Sequence, residues 1–548
     1  MKKKKIRKTG SRKDQKKEKE AGNDKKVQDH IEKNIFNLSN TDLLAIILII
    51  GLFGYIYLSN INAYDSLMYD EAGYITMGRT LAVEHYHGID VQGTKESYRQ
   101  PLFPLMIASS FLIFGISYTA AKIPVIISAL MAMIVIYMLV QKIYDRKIAF
   151  FSAAMLGAIP LTLQYVENIL SDIPSVLFYT LTMLSFYIGI EKKNKKYLYI
   201  AWLSFGLTFL IRYNAVLIIA SVAAYLAIKI ITGQTKLKDL TDNKDFMLSP
   251  IAALIPLAPY FIYQQLTFGD AFIGIKQARG ALDMTWGAGP WHTYITQAPQ
   301  YLTWLGFILT ILGIAWTLYK KDRFGIYMLT WAIIPLAYFS AQILKDLRLI
   351  DTIAAPLTIF AALGAYNIIA KLITRDLKLS GNITQLAVPA IMLIYIMYAG
   401  YTDVLPRFQQ VHALGYPSLQ LAGEWIQKNT EKDAILMTAS EPGHQWYSYR
   451  KTVGYPEEER LVDTINEKGV DYIIIDNYER MQPPYIIELF TSRFTENGML
   501  KYPQDAQQIM QFQKAPYQAS TLIIPAGLFL KRMNEQQPTS QIETPQTQ

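Results

Sequence analysis

The sequence predicts a polytopic α-helical membrane protein with a small α/β domain after its last span. Three observations predict it. Of 548 residues, 51% are hydrophobic and only 18% are charged. The apolar residues gather into runs of roughly 16–22, the length that crosses a hydrocarbon core. Basic clusters recur between those runs, and from about Val404 amphipathic segments alternate with short apolar strands.

Composition also excludes. Cysteine is absent, which rules out disulfides, a thiolate metal site and a cysteine nucleophile. Residues 1–33 hold 14 Lys/Arg against 6 Asp/Glu, so +8 of the +9 net charge sits in the tail. A basic tail directly before a membrane span reads as a disordered cytoplasmic segment, 1–40, that touches anionic lipid, and nucleic acid is not its expected partner. The first apolar run starts too far in, and lacks a cleavage site, to be a signal peptide.

The spans follow in order within 41–403. Thr41 to Leu58 leads out, Tyr118 to Gln141 in, Ile148 to Leu163 out, and Ile173 to Ile190 in to the basic loop "EKKNKK". Tyr197 to Ile211, Ala215 to Ile231, Met247 to Gln264 and Tyr301 to Leu318 continue the alternation. Phe324 to Ile343, Ile350 to Ala370 and Thr384 to Tyr401 complete about eleven transmembrane helices. Pro101 to Gly115 is too short to cross and is read as an interfacial or re-entrant helix; counting it as a span would put "EKKNKK" outside. The N-terminus is thus expected inside the cell membrane, and the domain at 404–535 outside. That domain should contain parallel strands at "DAILMTA" and "VDYIIID", with helices at "LQLAGEWIQKNT" and "ERLVDTINEKG". Residues 536–548, rich in Gln, Thr and Pro, read as disordered.

The long first outer loop is where chemistry is expected. It opens with Asp70 and Glu71 and closes with Arg99. A second outer loop contributes Glu167 and Asp172, so two acid-bearing loops face one side. Carboxylates there can act as a general base, cap a helix, or hold a divalent cation, with Asp70 and Asp172 as its ligands. Lys122, Arg212, Lys345 and Arg348 join Arg99 on the side that positive charge ordinarily avoids. Each calls for an anionic partner: a substrate phosphate, a lipid headgroup, or neighbours such as Asp346 and Asp351. Trp286, Trp291 and Tyr294 of the third outer loop could stack on sugar rings, although aromatic residues at an interface also serve as belt anchors, and Tyr74 joins Trp286 and Trp291 as a substrate-binding candidate. His444, Trp446 and Tyr449 of the outer domain could touch an acceptor, with packing the commoner role.

The segments "YDEAGY", "RQPLFPLMIASSFLIFG", "AAKIP" and "ENILSDIPSVLFY" resemble the integral-membrane glycosyltransferases of the GT-C fold, family-39 type. That type includes dolichyl-phosphate-mannose protein mannosyltransferases and the aminoarabinose transferase that modifies lipid A. "RLIDTIAAPLTIFAALGAY" and the external domain fit the same pattern, which covers about residues 41–530. The resemblance implies Asp70 as the catalytic acid of the first loop with Glu71 beside it, Asp172 as the second-loop acid, and Arg99 against the donor phosphate, helped by Lys122, Arg212 or Arg348. Gln100-Pro101 stands where the family has a proline pair, and Leu349 where it has a tyrosine. The signature "WWDYG" is absent, which argues against transfer of a whole glycan to asparagine.

The implied activity is transfer of a sugar, with inversion, from a polyprenyl-phosphate donor to an extracytoplasmic protein, lipid or wall polymer. The alternative is a polytopic transporter or a flippase for lipid-linked saccharides. Transporters usually place ionisable residues at mid-membrane, whereas here charge clusters at the outer ends of the spans.

Overall fold

The computed structural model describes residues 38–59, 61, 67, 69–89, 93–281, 287–373, 387–402, 417–477, 482–496, 499–513 and 520–535. The tails at 1–37 and 536–548, and Trp286, fall outside them. Among the described residues, eight helices are long and apolar enough to cross a membrane, from Asn40–Ser59 to Leu347–Ile373. The other three expected spans are helical but shorter: Arg146–Ala158 continued by Pro160–Tyr165, then Lys195–Phe209 and Ala387–Thr402. The first of these breaks because proline disfavours α backbone in the residue before it, and Ile159 is extended at φ −68°, ψ 146°. Side chains of Ser117, Asp145, Asn194 and Asp322 accept orphan amide protons at four helix starts.

Ion pairs mark the two ends of the bundle. At one end Asp42 meets Arg146 at 2.8 Å, and Glu191 pairs with Lys229. At the other lie Asp70, Arg99, Asp172, Arg212 and Arg348. Successive spans alternate between these ends, as the basic loops require. The helix Leu102–Phe114 has both ends on the second side: its Leu102 amide donates to the Leu210 carbonyl at 3.0 Å, and Ser110 Oγ to the Ala120 carbonyl at 2.6 Å. At 1.5 Å per residue it reaches about 20 Å, short of a ~30 Å core.

Close packing fixes the later helices. A Cβ on Gly313 would fall 1.8 Å from the Phe360 carbonyl oxygen, so Ala298–Lys320 and Ala354–Gly364 touch backbone to backbone.

The C-terminal part has its own cores, around Met437, Ile473 and Phe529 on one side of a sheet and Ile426, Leu436 and Ile474 on the other. The strands are β1 Ile435–Thr438, β2 Lys451–Val453, β3 Tyr472–Asp476, β4 Thr495–Glu496, β5 Met499–Leu500, β6 Met510–Gln513 and β7 Ser520–Pro525. The main sheet runs β2-β1-β3-β7-β6, and β4 and β5 form a separate ribbon. The two expected strands, β1 and β3, are parallel neighbours with Met437 opposite Ile473. The sheet is nevertheless mixed, because β7 and β6 add on antiparallel. β6 is four residues long and alternates half-buried with exposed positions, and β7 opens on Ser520 and Thr521, which are buried although polar, so hydrophobicity alone did not reveal them. The helix Glu441–Ser448 carries this domain onto the bundle: it packs against Tyr69–Arg79, and Trp446 and Tyr447 join the bundle's core.

Candidate functional site

The helix Tyr69–Arg79 begins with the acidic pair, and its first turn holds Asp70 between two arginines. Asp70 Oδ1 accepts from Arg99 Nη2 at 3.1 Å, and Oδ2 from Arg348 Nη1 at 3.1 Å. Each arginine is held by a second carboxylate. Glu96 lies 3.4 Å from Arg99 Nη1 and also accepts from the Tyr98 amide at 2.6 Å; Asp346 accepts from Arg348 Nε at 3.0 Å. Gly73 makes room for this arrangement, since a Cβ there would lie 3.3 Å from Arg99 Cζ. Burial by the surrounding chain pushes the Asp70 pKa up, but Arg99 and Arg348 outweigh it and hold the carboxyl below its ordinary range. The Asp70 side chain keeps 38% of its surface, enough for a ligand to reach it.

Asp172 starts its span and is buried on a different arginine. Arg212 Nη1 donates to Asp172 Oδ1 at 3.0 Å, to Asp351 Oδ2 at 3.1 Å and to the Arg348 carbonyl at 3.3 Å. Arg212 therefore ties the second-loop acid to the backbone of the residue that grips Asp70. Glu71 is fully buried and accepts from Asn168 Nδ2 at 3.0 Å and the Ile169 amide at 2.8 Å. Tyr74 donates to Ser171 Oγ at 3.1 Å. Both side chains brace the first loop against the second. Lys122 is fully buried, with Nζ on the Ile61 carbonyl at 2.9 Å and 3.7 Å from Glu167. Burial raises the Glu167 pKa to about 7 against the opposing pull of Lys122.

A family model described as dolichyl-phosphate-mannose-protein mannosyltransferase matches residues 98–263. The undecaprenyl phosphate-alpha-4-amino-4-deoxy-L-arabinose arabinosyl transferase of Wigglesworthia glossinidia brevipalpis is 23% identical over 357 residues. That alignment covers 63% of each chain, so this chain spans under two thirds of the curated relative. The crystal structure of ArnT from Cupriavidus metallidurans bound to undecaprenyl phosphate superposes with a TM-score of 0.65, at 12% identity, over 88% of this chain and 98% of that one. This chain has the GT-C fold. The apo oligosaccharyltransferase of Archaeoglobus fulgidus shares it at a TM-score of 0.58 and 13% identity, over 80% of this chain and 70% of that one.

Within the GT-C scaffold, Asp70, Arg99, Arg348, Asp172 and Arg212 converge in one network at one end of the bundle. Glu71, Tyr74 and Lys122 are buried beside it with partners of their own. Trp291 is 67% exposed and sits edge-on to His292, and Trp286 is outside the described residues. The carboxylates offered to a divalent cation do not fit one. Both Asp70 oxygens and Asp172 Oδ1 face guanidinium groups, and among the described residues no three His, Asp or Glu side chains gather as ligands. Sequence reasoning missed Glu96, Asn168 and Gly73. The Glu96-x-x-Arg99 spacing was a usable signal for the first; the others show only in three dimensions.

Proposed function

We propose that the protein transfers a sugar from a polyprenyl-phosphate donor to a hydroxyl on an extracytoplasmic protein, lipid or wall-polymer acceptor, inverting the anomeric centre. The observation that carries this reading is one solvent-reachable carboxylate shared by two arginines, each anchored by a second carboxylate. Guanidinium groups that bind a carboxylate edge-on are equally suited to phosphate. The donor class is supported by the GT-C neighbour solved with undecaprenyl phosphate.

This reading implies an order of events. With no donor, Asp70 is the counter-ion of Arg99 and Arg348 and is a weak base. A donor phosphate competes for the same guanidinium edges, while Glu96 and Asp346 keep both arginines in place. Asp70, freed from its cations, regains basicity and accepts the proton of the acceptor hydroxyl. That oxygen bonds to the anomeric carbon as the bond from carbon to phosphate oxygen breaks, and polyprenyl phosphate leaves on the arginines. One such charge contact contributes ~3 kcal/mol to a transition state. Asp172 acts indirectly, through Arg212 and the Arg348 backbone.

A flippase fits less well. Among the described residues the ionisable side chains of the spans stand near their ends, as Lys122, Asp172, Glu191, Lys229 and Arg323 do, and mid-membrane relays are not seen. The test is purified protein given a labelled polyprenyl-phosphate sugar and native membranes. Wild type should move the label to acceptor and Asp70→Asn should not. Near-normal transfer by Asp70→Asn would remove Asp70 from the role of base.

A further inference from the structure

The helix that presents Asp70 at its first turn ends at Arg79, and Arg79 is only 4% exposed. Its guanidinium lies against the C-terminal domain, 4.1 Å from the Tyr449 ring centre and 5.7 Å from that of Trp446. Both rings belong to the Glu441–Ser448 helix and its cap. The backbone at Tyr449 is left-handed, φ 56°, a conformation that favours glycine or asparagine after a helix. A bulky aromatic in that position is explained by its contact with Arg79. The same helix is fastened to the sheet from its other side: His444 Nε2 lies 3.1 Å from Asp476 Oδ2 on β3, and Thr521 Oγ1 on β7 donates to Asp476 Oδ1 at 2.7 Å. Beyond Arg79 the acid helix widens into a π turn, Thr80–Glu84, so the stack sits where that helix is otherwise least regular.

We propose that Arg79, Trp446 and Tyr449 are positioning residues through which the C-terminal domain sets Asp70 against Arg99 and Arg348. The chain of contact runs from the sheet through Asp476 and His444 to the Glu441–Ser448 helix, then through the aromatic–arginine stack to the acid helix. The domain is then a working part of the site without touching the reacting atoms. This rests on the assignment of Asp70 as the base.

The experiment uses the full chain. Tyr449→Asn keeps a residue suited to the left-handed backbone and removes the ring; Arg79→Lys keeps a cation over the rings. Hydrogen exchange of residues 69–79 and donor turnover are measured on both. Tyr449→Asn should raise exchange across 69–79 and lower kcat about tenfold, with KM for donor unchanged within about twofold, since small misplacements of a reacting group are costly. Arg79→Lys should retain most protection and most turnover. Unchanged exchange in Tyr449→Asn, or a fall in donor affinity in place of kcat, would overturn the proposal. Absence of transfer by wild type would instead defeat the assignment of Asp70, and the exchange result would still decide the coupling.

Discussion

Replacing Asp70 by Asn should act in opposite directions on binding and on turnover. The substitution keeps size and helix capping but removes the anion that occupies Arg99 and Arg348. Each of these pairs is partly open to solvent, because the Asp70 side chain is 38% exposed, and pairs of that kind contribute up to ~1 kcal/mol each. Removing both competitors therefore favours an incoming phosphate by about 1–2 kcal/mol, or roughly tenfold in affinity. Turnover should fall by about 10²–10⁴-fold, the usual contribution of a positioned base. Undecaprenyl phosphate titrated into protein held in nanodiscs, followed by thermophoresis, gives the first quantity; single-turnover transfer gives the second. Weaker or unchanged binding of undecaprenyl phosphate by Asp70→Asn would refute the idea that carboxylate and phosphate share the two arginines.

Gly73→Ala should stabilise its helix by about 1 kcal/mol on propensity, yet lower turnover several-fold, because the new methyl group meets Arg99 Cζ at 3.3 Å; a rise in melting temperature with full activity would count against the placement of Arg99. Glu167 has its folded pKa raised to about 7 by burial, so its favourable contribution is present below its unfolded value and is lost as pH rises through 7. The stability of wild type relative to Glu167→Gln, from melting curves, should accordingly fall between about pH 4.5 and pH 7 and level off above that. Single cysteines at Lys192 and Lys432, both exposed, should label with an impermeant maleimide only from opposite sides of intact cells. Labelling of both from outside would break the expected orientation.

The spans were legible in the sequence because length and charge asymmetry are properties of single segments. Leu102–Phe114 could be kept out of the count on its length and on the side of "EKKNKK", and its two end contacts agree. Asp70, Arg99, Asp172, Arg212 and Arg348 were also legible, since ionisable residues at the ends of apolar runs are few. Their pairing was not. Asp70 meets an arginine 278 positions away, and Arg212 one acid 40 and another 139 positions away, which no local pattern encodes. The roles of Glu71 and Lys122 depend on burial that adjacency to Asp70, or to the start of a span, does not reveal. The docking of Trp446 and Tyr449 on Arg79 joins residues some 370 positions apart and was invisible for the same reason.

The measurement that bears most directly on the proposed chemistry is the fate of the sugar–phosphate bond. Protein reconstituted into liposomes with a labelled undecaprenyl-phosphate sugar and native acceptor membranes should release undecaprenyl phosphate one-for-one with label gained by acceptor, and Arg99→Ala should abolish both. Appearance of the intact lipid-linked sugar in the opposite leaflet, with its phosphate bond unbroken and no labelled acceptor, would contradict glycosyl transfer and make the protein a flippase.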